Sequence, residues 1–242
     1  MRVMEATSYQ HMSELAADYL LNKIRTQPYI VLGLATGGTP KGTYDRLVKD
    51  HRENGTSYRN ITSFNLDEYV GFSPDHPNSY HTFMYENLFG KLDVTKENIH
   101  LPNGVALDLV EECKCYEEQI ENSGGIDLQL LGMGSNGHIG FNEPGTSFEV
   151  NTHIVELAQS TREANARFFS HLEEVPHEAV TMGIATIMRS REILLLVSGE
   201  SKSEALKELV NGEVRESFPA SVLKMHPHVT IIADKNALSG VR

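Results

Sequence analysis

The chain has 242 residues, enough for one large α/β domain, and its 40% hydrophobic and 22% charged content suits a folded globular protein rather than a disordered one. Its 33 acidic against 21 basic residues give a net charge of −12, which disfavours nucleic acid and anionic membranes as partners. No apolar run approaches the roughly 18 residues of a membrane span and the first residues lack a signal-peptide pattern, so a cytoplasmic location is expected.

Taken in chain order, Thr7 and Gln10 have the spacing of a capping box before a helix carrying Met12, Leu15, Ala16, Tyr19 and Leu20. A strand over 29–34 runs into Thr36-Gly37-Gly38-Thr39-Pro40, and Pro40 suits the first turn of a helix continuing through Tyr44, Leu47 and Val48. A strand over 61–66 ends at Asp67. A helix over 79–89, a short strand near Ile99 and a helix over 109–120 closed by Gly124-Gly125 follow. Cys113 and Cys115, two apart on that last helix, point in different directions and suit neither a disulfide nor a zinc site. An apolar strand over 126–131 leads into a glycine-dense stretch, 132–143. Beyond it the spacing predicts helices over 162–172 and 178–188, a strand over 193–197, a Ser201-x-x-Glu204 capped helix over 201–210 and a last strand over 229–233. Strands alternating with helices predict an α/β fold, one domain over 1–242, with a mostly parallel sheet covered on both faces.

In such sheets ligands sit outside the carboxyl ends of the strands. Gly37 and Gly38, Asp67, His138 and Lys202 each follow a predicted strand, so their side chains and amides should share one rim. The glycines at 132, 134, 137 and 140 let backbone pass close to a ligand, His138 titrates near neutral pH, and Glu143 is placed in sequence to orient or polarise it. Thr36-Gly37-Gly38-Thr39 can form an anion site at a helix N-terminus, or be a plain strand-to-helix turn. It lacks the Lys-Ser/Thr ending of a nucleotide loop and the Gly-x-Gly-x-x-Gly spacing of a dinucleotide fold, which points to a monophosphate if an anion binds.

Asp67 and Glu68 are adjacent on a strand end, so at most one of them enters a given site; the other reading is a turn or helix cap. A lysine at 202, in the first turn of a helix, runs against the usual preference for acids there; a bound anion explains it, as does simple solvation. Arg162 and Arg167 are further basic candidates. His11, His51 and His171 read as solvated, and His226 with His228 as structural. With no Gly-x-Ser-x-Gly elbow, activated cysteine or metal cluster, the residues alone lead to acid–base chemistry on a small phosphorylated molecule without a cofactor.

Several segments together resemble the glucosamine-6-phosphate deaminase family. They are Gly33-Leu34-Ala35-Thr36-Gly37-Gly38-Thr39-Pro40, Phe64-Asn65-Leu66-Asp67-Glu68-Tyr69-Val70-Gly71, His76-Pro77-Asn78-Ser79-Tyr80, the run from Gly132 to Pro144, Thr161-Arg162 through Arg167-Phe168-Phe169, and Gly199-Glu200-Ser201-Lys202. The resemblance implies a modified Rossmann-like three-layer sandwich that converts glucosamine 6-phosphate and water to fructose 6-phosphate and ammonia, without metal or cofactor. It assigns ring opening to His138, oriented by Glu143 and assisted by Asn136, and proton abstraction at C2 to Asp67. It places the phosphate on Thr36, Gly37, Gly38 and Thr39 with Arg167 and Lys202.

Two features depart from the family. Many members carry Asp where this chain has Asn136, and an amide cannot lend negative charge. Allosteric members carry basic residues shortly after Asn-Glu-Pro and a longer C-terminal extension; here His153-Ile154-Val155-Glu156 and an end at Arg242 imply a monomer that N-acetylglucosamine 6-phosphate does not activate. The related 6-phosphogluconolactonases share a Gly-His loop, but Asn142-Glu143-Pro144 and Asp67-Glu68-Tyr69 favour the deaminase. A non-catalytic sugar-phosphate sensor is the remaining alternative; it would carry a basic DNA-binding helix pair, for which this chain has no spare length.

Overall fold

Short runs of Leu, Ile and Val, buried on both faces, form the central strands of a parallel sheet. The computed structural model describes residues 1–241. The chain begins with β1 (Arg2–Ala6), α1 (Tyr9–Thr26), β2 (Val31–Leu34), α2 (Gly38–Asn54), β3 (Thr62–Asn65) and β4 (Asp67–Tyr69). It continues through α3 (Tyr80–Asn87), β5 (Ile99–His100), α4 (Leu109–Asn122), β6 (Leu128–Leu131), β7 (His153–Glu156) and α5 (Gln159–Asn165). The remaining elements are β8 (Glu178–Thr181), α6 (Ile184–Met188), β9 (Glu192–Val197), α7 (Ser203–Asn211) and β10 (Val229–Asp234).

Seven strands pair in the order β1-β10-β9-β6-β2-β3-β5, every pairing parallel. Strand β9 shows how both faces are covered. Ile193, Leu195 and Val197 pack with residues of α4, α6 and α7, while Leu194 and Leu196 pack with residues of α1, α2 and α3. The result is a Rossmann-like three-layer α/β sandwich. Chain order reverses between β2 and β6: β3 and β5 lie on one side, β6, β9 and β10 on the other. That reversal opens a crevice at the carboxyl ends of β2 and β6, where α/β folds bind ligands. None of the described helices is long and apolar enough to cross a membrane.

A second, three-stranded antiparallel sheet, β4-β8-β7, stands beside the first. Leu66 joins the two. Its N–H donates to Leu34 O at 3.0 Å, and its carbonyl accepts from Met182 N at 2.6 Å. The next residue, Asp67, opens β4 opposite Thr181.

Four expectations need correction. The helix expected over 178–188 is strand β8 followed by the short α6, because Ala179 and Val180 are buried between β4 and β7, strands contributed from far along the chain. The helix expected over 162–172 begins earlier and ends at Asn165, with single turns at Ala166–Phe168 and Leu172–Glu174 after it. Ser8, rather than Thr7, caps α1, its hydroxyl accepting from His11 N. Finally, Ser201 does not cap α7: Glu200–Lys202 forms a 3-10 turn, and the N-cap position is Lys202, with no side-chain cap bond. Strands β1 and β7 were not anticipated. Cys113 is buried and Cys115 half-buried, both as free thiols on α4, as expected. His226 is also structural: its Nε2 lies 2.8 Å from Ser190 O and its Nδ1 accepts from His228 N at 3.1 Å.

Candidate active site

A cavity of about 380 Å³ lies outside the carboxyl ends of β2, β3, β6 and β9. Thr36, Gly37, Gly38 and Thr39 line it from the start of α2, Asp67 from β4, and Asn136 and His138 from the glycine loop. Arg167 and Lys202 complete the wall. The four strand ends singled out in the sequence therefore do meet. Of the residues singled out in the sequence for the site, Glu143 and Arg162 do not line the cavity; Glu143 stands behind His138.

At one end the elements suit an anion. Gly37, at φ 92°, is the N-cap of the 17-residue α2 and makes no side-chain cap bond. Only glycine adopts that angle without strain. The helix therefore offers its first N–H groups and the positive end of its dipole to the cavity. Arg167 comes to the same place: a Cβ built on Gly38 would lie 4.0 Å from its Nη2. Its guanidinium carbon sits 4.8 Å from the ring centroid of Phe168, at the cavity mouth. Lys202 is held by the loop before α7, which buried Asp234 anchors. Asp234 accepts from Ser198 Oγ at 2.5 Å, Gly199 N at 3.1 Å and Ala237 N at 2.8 Å. Burial, and then the charge of Arg167, push the Lys202 ammonium below its ordinary value. Neither cation has a carboxylate within 4 Å among the described residues. Two adjacent cations without a protein anion are arranged for a ligand's negative charge.

Arg162 does not join them. It is buried, and its guanidinium donates to the carbonyls of Val175 and Leu172, so it holds the 159–175 segment together.

Asp67 is 6% exposed. Burial, and then the neighbouring Glu68 carboxylate, push its pKa up to about 8. Strand alternation separates the two acids as expected: Asp67 faces the cavity, and Glu68 turns away into the protein.

His138 sits on a backbone turn closed by Gly134 N to His138 O at 2.9 Å and Gly137 N to Gly134 O at 3.1 Å. A Cβ at Gly134 would fall 2.3 Å from the imidazole, so only glycine leaves the ring its place. The buried Nδ1 makes no hydrogen bond; Glu143 Oε2 lies 3.8 Å away, too far for one. Glu143 acts on the loop by another route. Its Oε2 accepts from Asn136 Nδ2 at 2.9 Å, and Asn136 Oδ1 accepts from His138 N at 3.2 Å. Its other oxygen accepts from the Thr161 hydroxyl. Burial lowers the His138 pKa most; Glu143 pulls it back up, and Lys202 lowers it further.

Sequence reasoning singled out none of Thr161, Tyr69, Tyr80 or Asp234. Tyr69 and Tyr80 lie within the family-like segments and line the cavity, and Asp234 ends an apolar strand; those were the available signals. Among the described residues, no three His, Cys, Asp or Glu side chains group as a metal site.

Fold and rim define a class: an α/β protein whose topological switch point carries a buried carboxyl, a neutral-leaning imidazole and paired cations around one small cavity. The sequence pattern of the glucosamine-6-phosphate isomerases/6-phosphogluconolactonase family matches residues 4–232, and the chain belongs to that family. A glucosamine-6-phosphate deaminase of Halalkalibacterium halodurans is 57% identical over 241 residues, 100% of this chain and 98% of its own length. Glucosamine-6-phosphate deaminase 1 of Bacillus subtilis is 50% identical over 239 residues, 99% of each chain. The solved structure of a monomeric glucosamine-6-phosphate deaminase matches with a TM-score of 0.98 at 50% identity over 100% of both chains. The 6-phosphogluconolactonase of Trypanosoma brucei, at 20% identity and a TM-score of 0.82 over 100% of this chain and 98% of its own, shares the fold.

Proposed function

We propose that the protein deaminates glucosamine 6-phosphate, converting it with water to fructose 6-phosphate and ammonia in amino-sugar breakdown. The observation that carries this reading is full-length likeness to a deaminase at 57% identity, and a cavity that brings a carboxyl, an imidazole and two cations together supports it. In this reading the phosphate rests on the amides of Gly37, Gly38 and Thr39, on the Thr36 hydroxyl, and on Arg167 and Lys202.

His138, held towards its neutral form by burial, takes the proton of the anomeric hydroxyl and, as the bond from C1 to the ring oxygen breaks, passes that proton to the ring oxygen, opening the pyranose. Glu143 positions the loop through Asn136 and stabilises the imidazolium that results. Asp67 then removes the C2 proton, made acidic by the C2 ammonium, and an enolamine forms between C1 and C2. Return of a proton to C1 gives the 2-imine of fructose 6-phosphate. Water adds to that imine, the C–N bond breaks, and ammonia leaves. The reaction is thus an aldose–ketose isomerisation completed by hydrolysis. The whole chain, 1–242, works as one domain and as a cytoplasmic monomer, with no cofactor called upon.

The test is to incubate the purified protein with glucosamine 6-phosphate and a chelator and to follow both products. Equimolar fructose 6-phosphate and ammonia are expected. Hydrolysis of 6-phosphogluconolactone with neither product would move the reading to the lactonases.

Gly134→Ala gives a local check on the histidine loop. The added methyl displaces the imidazole, and a misplacement of this kind is expected to lower kcat by about 10²-fold. Binding of inorganic phosphate should be unaffected. A kcat equal to wild type would remove His138 from the proposed ring opening.

A further inference from the structure

Glu68 is completely buried, yet it does not line the cavity. Its Oε1 accepts the backbone N–H of Tyr69 at 2.9 Å and that of Tyr80 at 3.0 Å. Its Oε2 accepts the N–H of His81 at 3.0 Å and lies 2.9 Å from His81 Nδ1. Tyr80 and His81 open α3, whose N-cap Ser79 accepts with its hydroxyl from Thr82 N and leaves the Tyr80 and His81 N–H groups to another partner. The first N–H groups of a helix have no partner within it, and its dipole favours an anion there. Glu68 meets both needs from a neighbouring strand. A single carboxylate thus ties β4, which carries Asp67, to the start of α3. Tyr80, at that start, lines the cavity and donates to Tyr69 Oη at 3.2 Å.

We propose that Glu68 is a positioning residue for Asp67: its buried carboxylate locks β4 to α3 and holds a fixed negative charge beside the base. The proposal rests on the deaminase reading, in which Asp67 takes the C2 proton. A buried acid is retained only where its bonds offset desolvation, and a glutamine could not replace these bonds. The four contacts occupy both oxygens, so the amide NH₂ of a glutamine would face N–H donors on one side or the other. The charge has a second consequence. A like charge disfavours the ionised form of its neighbour, so Asp67 becomes a stronger base than burial alone would make it.

Few other groups bear on that field. The phenols facing Asp67 are those of Tyr69 on β4, Tyr80 on α3 and Tyr116 on α4; burial raises all three, and they stay neutral. Among the described residues, no cation lies within 4 Å of Asp67; Arg167 and Lys202 share the cavity with it. From α3, the only titratable ring on Glu68 is His81.

The experiment uses full-length protein labelled with ¹³Cγ-aspartate, the Asp67 signal being identified by its loss in Asp67→Asn. Titration of the wild type against Glu68→Gln should show the Asp67 midpoint falling by about one pH unit when the charge is removed. The acid limb of kcat should move down with it. The kcat should fall about tenfold or more, while KM for glucosamine 6-phosphate stays within about twofold, since the phosphate end is untouched. An unchanged midpoint would overturn the proposal.

Glu68→Asp keeps the charge and shortens the arm, and it decides the matter if Glu68→Gln does not fold. There the midpoint stays high and kcat falls; a wild-type kcat would overturn the clamp. Because the titration needs no turnover, a wild type without deaminase activity would defeat the functional reading alone. The bearing of Glu68 on Asp67 would still be decided by the carboxyl signal.

Discussion

Asp67→Asn is expected to lower kcat for glucosamine 6-phosphate by about 10³-fold or more while making the ligand-free protein more stable above pH 8. The first effect follows from the proposed chemistry: an amide takes no proton from C2, and a positioned general base contributes about 10²–10⁴-fold. KM should change little, because the phosphate end is left intact. The second effect follows from burial. The Asp67 pKa, about 8 in the fold, stands above an ordinary value of 3.8. The folded state therefore holds this proton over a pH range in which the unfolded chain has released it. A group raised in this way contributes stability that is complete below the unfolded value and lost as pH rises through the folded one. The wild type is thus penalised increasingly between about pH 4 and pH 8, by at most ~6 kcal/mol. Asparagine carries no such penalty. The gain in Tm over wild type should grow across that window and level off above pH 8, reaching several degrees. Thermal scans at pH 5 and pH 9 check it. A mutant no more stable at pH 9 would show that Asp67 is better solvated than its burial implies.

Replacing both Arg167 and Lys202 by alanine should raise KM for glucosamine 6-phosphate by about 10²–10⁴-fold, with kcat at saturation reduced far less. Hydrogen bonds to a charged group are worth about 1.5–3 kcal/mol each, so each cation accounts for about 10–100-fold. A phosphate distant from C1 and C2 is held alike before and during proton transfer, and loss of such uniform binding appears in KM. Burial and Arg167 both lower the Lys202 pKa. A bound phosphate reverses that push, so binding should weaken towards alkaline pH as Lys202 loses its proton. Competitive inhibition by inorganic phosphate should disappear in the double variant. If KM and phosphate inhibition both survive, the anion does not sit between these cations.

Much of this arrangement was legible in the chain itself. Four apolar runs, each ending in a glycine, an acid, a histidine or a basic turn, were enough to place Gly37, Asp67, His138 and Lys202 on one rim, because a parallel sheet puts all its carboxyl ends on one side. Alternation along β4 required that only one of Asp67 and Glu68 enter the cavity, without saying which. Reading by local pattern failed where the decisive partner was remote. Residues 178–181 have a short apolar core that fits a helix or a strand, and β4 and β7 made it a strand. Arg162 and Arg167 looked alike in sequence; the carbonyls of Leu172 and Val175 claimed the first and left the second for the cavity.

The alternation of strands and helices, the four strand ends that meet at the rim and the chemical types they carry are written along the chain. How those types behave, and which neighbours join them, follows from tertiary packing. It set the basicity of Asp67 by enclosing it beside Glu68, kept Glu143 3.8 Å from the imidazole with Asn136 as the link, and brought Lys202 and Arg167 together without a carboxylate between them. The reason is physical. Periodicity and turn chemistry act over a few residues and are written locally, whereas desolvation and Coulomb interactions depend on distances between residues far apart in the chain, which exist only once the layers have packed.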